Sequence, residues 1–80
     1  MSPRERLKPW VVEALRAHGG AASIVQVCRH IWDHHNDDLK ALGDFFYIWQ
    51  YDVRWAAGAL RDDGALKPTK DTKRGVWELA

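Results

Sequence analysis

Six of the nine aromatic residues of this chain fall between Phe45 and Trp55: Phe45, Phe46, Tyr47, Trp49, Tyr51 and Trp55. A stretch so dense in rings must bury several of them, because each packed ring withdraws about 150–250 Å² from water. The segment reads as one helix, capped by Asp44, running to about Asp62 and stopped by Gly64. A helix turns only one side to a core. With residues about 100° apart and Val53 at zero, one arc holds Phe46, Trp49, Val53, Ala56, Ala57 and Leu60. A second arc, from roughly 60° to 160°, holds Tyr47, Gln50, Tyr51, Arg54, Gly58 and Arg61. The first is a core stripe. The second carries two phenols, an amide and two guanidiniums, more than solubility requires of a helix. Trp55 lies beside Ile48, off both arcs, and is expected to pack.

The rest of the chain supplies the elements around this helix. Pro9 suits the opening of a first helix, because its missing N–H costs nothing in the first turn. Ser2 and Glu5 also have capping-box spacing, so an earlier turn is an alternative. Trp10, Val11, Ala14 and Leu15 form its apolar face, and Gly19-Gly20 ends it. Ala21-Ala22 fits a short extended piece. Ser23 then caps a second helix, with Gln26 as its reciprocal partner. Ile24, Val27, Cys28, Ile31 and Trp32 recur along that helix at three-and-four spacing. Between His34 and Gly43, Asn36-Asp37-Asp38 with Leu39 and Leu42 has room for an extra turn stopped by Gly43. The tail reads as a hairpin: Ala65-Leu66-Lys67, a polar tip from Pro68 to Arg74, then Gly75-Val76-Trp77-Glu78-Leu79 with Trp77 and Leu79 on one face. The expected fold is mainly α with a small β-hairpin, a winged helix-turn-helix spanning residues 1–80 as one domain.

Eighty residues support one thin core, with roughly 60% of the unfolded surface buried. The single cysteine, Cys28, excludes an internal disulfide and fits a reducing compartment. No apolar run of about 18 residues and no signal-peptide pattern is found, so no membrane partner is expected. The formal net charge of +1 conceals an uneven distribution. Residues 64–75 carry Lys67, Lys70, Lys73 and Arg74 against Asp71, net +3. Residues 1–8 carry Arg4, Arg6 and Lys8 against Glu5, net +2. Residues 29–63 carry four bases and seven acids, net −3. Positive charge therefore gathers at two outlying segments.

Four stretches carry a family resemblance: His18-Gly19-Gly20-Ala21-Ala22-Ser23, Tyr51-Asp52-Val53-Arg54-Trp55-Ala56, Leu60-Arg61-Asp62-Asp63-Gly64-Ala65-Leu66 and Arg74-Gly75-Val76-Trp77-Glu78-Leu79. Together they resemble the winged-helix domain at the N-terminus of Mrr-type restriction proteins, over nearly the whole chain. The Leu60 to Gly64 stretch with the hairpin is also similar, more weakly, to the winged helix of endonucleases that require methylated adenine. The acidic segment His34–Asp44 and the aromatic cluster Phe45–Trp49 depart from the family pattern. The resemblance implies a double-stranded DNA-binding module of a bacterial or phage restriction or defence system, cytoplasmic and associated with the nucleoid.

In that architecture the third helix lies in the major groove. Tyr47, Trp49, Gln50, Tyr51 and Arg54 are the candidate DNA contacts there, since arginine pairs bidentately with guanine and glutamine with adenine. Trp49 also falls on the core arc. Lys67, Lys70, Lys73 and Arg74 suit backbone phosphates, which position a protein without reading sequence. Arg4, Arg6 and Lys8 fit a frayed basic terminus better than a minor-groove arm. An aromatic cluster on a reading helix also fits a methylated base, with 6-methyladenine foremost. Burial of one methyl is worth roughly 0.8 kcal/mol, and aromatic contact raises discrimination to about tenfold. The competing class is a protein-interaction module using the same face, or the acidic stretch near Asp37-Asp38, without DNA contact. Enzymatic activity is not expected: no clustered acids with a lysine, no nucleophile with a base, and no phosphate-binding glycine loop are found. His30 and His34 at i, i+4 make only half a metal site, so no metal or other cofactor is expected, and Cys28 reads as a small buried hydrophobe.

Overall fold

The computed structural model describes residues 2–80. The chain forms three helices, α1 (Leu7–Ala17), α2 (Ile24–Lys40) and α3 (Trp49–Asp62), and two short strands, β1 (Ala21–Ser23) between α1 and α2 and β2 (Val76–Glu78) after α3. The fold is mainly α with a small antiparallel sheet, and its helix–strand–helix–helix–wing order is the one expected. Single 3₁₀ turns occupy Pro3–Arg6, Gly43–Tyr47 and Thr69–Asp71.

α1 buries Leu7, Val11, Ala14 and Leu15 along one face. It begins earlier than Pro9 suggests, because the Pro3–Arg6 turn runs directly into it. Pro9 sits in the first turn, where its N–H would have no helical partner anyway. Ser2 makes no side-chain cap; its carbonyl instead accepts the Glu5 N–H at 3.0 Å. The basic terminus is not frayed. It is held against α3, with the Arg4 guanidinium 4.4 Å from the centroid of the Trp55 ring and the Lys8 ammonium at 5.6 Å.

Gly19 and Gly20 end α1 with φ of +77° and +107°, a region where side chains with a Cβ are strained. The capping box on α2 forms as the spacing predicts: Gln26 N–H donates to Ser23 Oγ at 3.2 Å, and Ser23 N–H to Gln26 Oε1 at 2.9 Å. α2 runs on through the acidic segment but bends at His35, whose φ of −132° and ψ of 20° are not helical. Beyond the bend Leu39 is fully buried, which accounts for the extra turn.

The aromatic segment is not a single helix. Gly43–Tyr47 is a 3₁₀ turn, Ile48 is non-helical at φ −125°, and α3 starts at Trp49 without a side-chain cap from Asp44. The tighter turn changes which rings point inward. Phe45, outside the calculated core arc, is buried, while Phe46 is only half-buried against the core. From Trp49 onward the helical arithmetic holds: Trp49, Val53, Ala56, Ala57 and Leu60 are all buried.

β2 does not pair mainly with the segment that leads into the wing. Its ladder is with β1, in the register Ala21↔Glu78, Ala22↔Trp77 and Ser23↔Val76. On the other side, Leu66↔Leu79 forms an isolated bridge. Lys67 N–H donates to the Glu78 carbonyl at 2.9 Å and Ala80 N–H to the Ala65 carbonyl at 3.0 Å. The last strand is therefore central and serves two edges. Among the described residues the core contains no buried polar or charged side chain, and no helix is long and apolar enough to cross a membrane.

Candidate nucleic-acid interface

The capping box on α2 and the 3₁₀ turn before α3 set the first turns of these two helices beside an open groove of about 790 Å³. From α3 the groove is lined by Trp49, Gln50, Tyr51 and Arg54, with Phe46 from the preceding turn. From α2 it is lined by Ile24, Val25, Cys28, Arg29 and Trp32. A smaller groove of about 300 Å³ shares Ile24 and Arg54 and reaches Arg61, Gly75 and Trp77 at the base of the wing. One continuous face thus runs from the aromatic turn to the wing.

On α3, Tyr51 is 80% exposed and Gln50 and Arg54 are exposed as well, whereas Tyr47, 79% exposed, sits in the 3₁₀ turn before the helix and lines neither groove. The outer side of α3 points to solvent rather than into the fold. Trp49 does not join it: at 4% exposed it is a core residue that shows the groove only an edge. No acid lines the main groove, and neither Arg29 nor Arg54 has an ion-pair partner among the described residues.

The wing residues divide. Lys70, Lys73 and Arg74 are exposed. Lys67 is engaged, its ammonium 2.8 Å from Glu78 Oε2 across the strands. The hydrogen bond to Glu78, followed by the attraction of its charge, raises the Lys67 pKa.

Cys28 is half-buried in the groove floor; burial pushes its thiol pKa up, and the positive charge of Arg54 opposes that shift weakly. A raised pKa disfavours the reactive thiolate. The histidines lie away from this face. Nε2–H groups of His30 and His35 donate to one oxygen of Glu13, at 3.0 and 2.8 Å, and His35 stacks on Trp10 at 4.3 Å between centroids. His34 stacks on His30 at 4.0 Å and donates Nδ1–H to the His30 carbonyl at 2.9 Å. Hydrogen bonding from His35 is the main reason the Glu13 pKa is lowered. Among the described residues no group of three or more His, Cys, Asp or Glu side chains could hold a metal ion.

Sequence reading located the α3 contribution but missed the α2 wall. Val25, Arg29 and Trp32 follow one another at i, i+4 and i+7, a second stripe beside the core stripe of the same helix. Trp32, assigned to the core stripe, is 37% exposed, and Val25 is 64% exposed. No family model, curated protein or solved structure matches this chain.

Proposed function

We propose that this domain is a non-enzymatic module that binds double-stranded DNA, with α3 in the major groove and the wing on the phosphate backbone. The observation that carries the reading is the outer side of α3, where Gln50, Tyr51 and Arg54 are exposed and the Arg54 guanidinium has no ion-pair partner among the described residues. Arg54 and Gln50 are a helical turn apart on that side and match the hydrogen-bonding edges of guanine and adenine. Lys70, Lys73 and Arg74 supply phosphate contacts that set register. A restriction or defence setting in bacteria or phage, and a methylated base as target with 6-methyladenine first, belong to the same proposal and rest on the sequence resemblance to Mrr-type winged helices.

A titration of short duplexes that are unmodified, hemimethylated and fully methylated, followed by tryptophan fluorescence, tests both levels. Neutralisation of four to six phosphates predicts a log–log salt slope of about −4 to −5. Equal affinity for all three duplexes removes methyl reading and leaves DNA binding. A second reading, a protein-interaction module, is favoured by the exposed apolar residues Val25 and Ile48, at 64% and 48%. It predicts binding that salt does not weaken steeply, because apolar burial is insensitive to counterions.

A further inference from the structure

We infer that the groove between α2 and α3 is a binding site for an unstacked nucleotide, one whose base has left the double helix. The inference rests on the DNA-binding reading and goes beyond it, because an intact duplex offers this groove at most a methyl group, far less apolar surface than its walls present. Phosphates and sugar hydroxyls need polar partners, and base-pair edges need them too except at an isolated methyl group. The α2 wall offers few such partners apart from Arg29. It offers Val25 and Trp32, both exposed, while Phe46 packs against Trp32 at 5.9 Å between centroids from the turn before α3. In nucleic acid the broad apolar surface is the face of a base, and in B-DNA neighbouring bases cover it. Only a base out of the stack presents that face to protein, where aromatic side chains receive it.

The charges at the rim fit the rest of a nucleotide. Arg29 and Arg54 stand on opposite walls with no ion-pair partner among the described residues, and no acid lines the groove. A base packed against the Trp32–Phe46 wall, under the 80%-exposed Tyr51, leaves its phosphate for one of these guanidiniums. A groove of about 790 Å³ is within the size range of small-molecule sites. Energetics set the preference. Extracting a paired base costs about what stacking on protein returns, whereas a bulged or single-stranded nucleotide has no such cost.

The test uses the 80-residue chain and labelled oligonucleotides: an intact duplex, the same duplex with one unpaired nucleotide, and the single strand. Fluorescence anisotropy should show the bulged duplex bound about tenfold or more tightly than the intact one, within the range expected of a single stacked base. Trp32 is 37% exposed and outside the buried core, so Trp32→Ala should keep the fold, which circular dichroism checks, and should bring the ratio of the two affinities to about one. Tyr51→Ala should lower the same ratio. The single thiol adds an independent readout: the bulged duplex should slow alkylation of Cys28 by iodoacetamide more than the intact duplex does. Equal affinity for bulged and intact duplexes overturns the inference while leaving duplex binding in place. No binding to any oligonucleotide overturns both readings. Binding of an acidic, tryptophan-bearing peptide that no oligonucleotide displaces also overturns it and makes the groove a protein site.

Discussion

Two sides of α3 join aromatic rings to cations, and only one of them is closed. On the first side Trp55 is covered by Arg4 at 4.4 Å and approached by Lys8 at 5.6 Å. Lys8 also pairs with Glu5 at 3.4 Å and lies 3.9 Å from Asp63. Here the chain's own N-terminal turn supplies the partner. On the second side Tyr51 and Arg54 face a groove that none of the described segments covers, and Arg29 on its far wall has no ion-pair partner among the described residues. Similar residue types therefore carry different meanings. A basic, aromatic stretch invites a ligand most where the fold has not already satisfied it, and on that ground Arg4 and Lys8 carry less of the case for DNA contact than Arg29 and Arg54 do.

The largest effect that tests this contrast separates neighbours in α3. Trp49→Ala should cost about 3–5 kcal/mol, because it empties a nearly buried indole site. For 80 residues the whole stability is on the order of 4–12 kcal/mol, so that variant should unfold at far lower urea. Tyr51→Ala should stay within about 0.5 kcal/mol of the parent. Urea titrations of both variants measure the difference. Comparable losses would mean that Tyr51 is packed and that the open side is not open.

Next in size is a crossed pair of arginines. Arg54→Ala should weaken binding to a cognate duplex by about 1–3 kcal/mol and leave the melting temperature nearly unchanged. Arg4→Ala should do the reverse, costing about 0.5–1 kcal/mol of stability for a surface cation over an indole and nothing in DNA affinity. Anisotropy and thermal melts on the same two proteins suffice. If Arg4→Ala instead lowered affinity as much as Arg54→Ala, the distinction between the two sides would fail.

Local signals made much of this fold legible in the sequence. Glycine pairs, the Ser23–Gln26 box, and the spacing of Val27, Ile31, Val53 and Leu60 depend on neighbours within a turn. They gave the three helices, their glycine stops and, from Trp49 onward, the buried face of α3. What escaped the sequence depended on distant partners. The pairing of β2 with β1 joins Ala21 to Glu78, and no local pattern distinguishes that edge from the one at Leu66. The 3₁₀ turn at Gly43–Tyr47 rotated Phe45 inward against a periodicity computed for an α-helix. For the candidate site, the exposed α3 residues were readable because a helix with one apolar stripe must show its other side. The α2 wall was not, since Trp32 sits at the margin of an apolar stripe, and only packing decides on which side of that margin an indole falls.

Smaller effects belong to the wing. Lys70→Ala and Lys73→Ala should each reduce the salt slope of DNA binding by about 1, if each lysine meets one phosphate. Lys67→Ala should reduce it less, because Glu78 already holds that ammonium at 2.8 Å. A double-mutant cycle over Lys67 and Glu78 should show only a small favourable coupling, as exposed pairs do. A full unit of slope lost on Lys67→Ala would place that residue on the open side instead.

The smallest effect concerns a second closed cluster, at Glu13. His35 and His30 both donate to its carboxylate, and hydrogen bonding from His35 chiefly, with His30 adding to it, holds its pKa below the ordinary glutamate value. The sign follows from that direction. A carboxylate that ionises more readily when folded adds stability above its unfolded pKa of about 4.3. The contribution is lost as pH falls through the lower, folded value. Because the side chain is 47% exposed, solvent screening keeps the effect below about 1 kcal/mol, a few degrees of melting temperature for a domain of this size. Glu13→Gln should therefore melt slightly below the parent at neutral pH, and the two curves should converge on acidification through the carboxylate range. DNA affinity should be unaffected throughout, since Glu13, Trp10 and the histidines line neither groove of the proposed interface. A shift in affinity that tracks Glu13 would tie the closed cluster to the open face through the bend at His35, and the two sides would have to be treated as one.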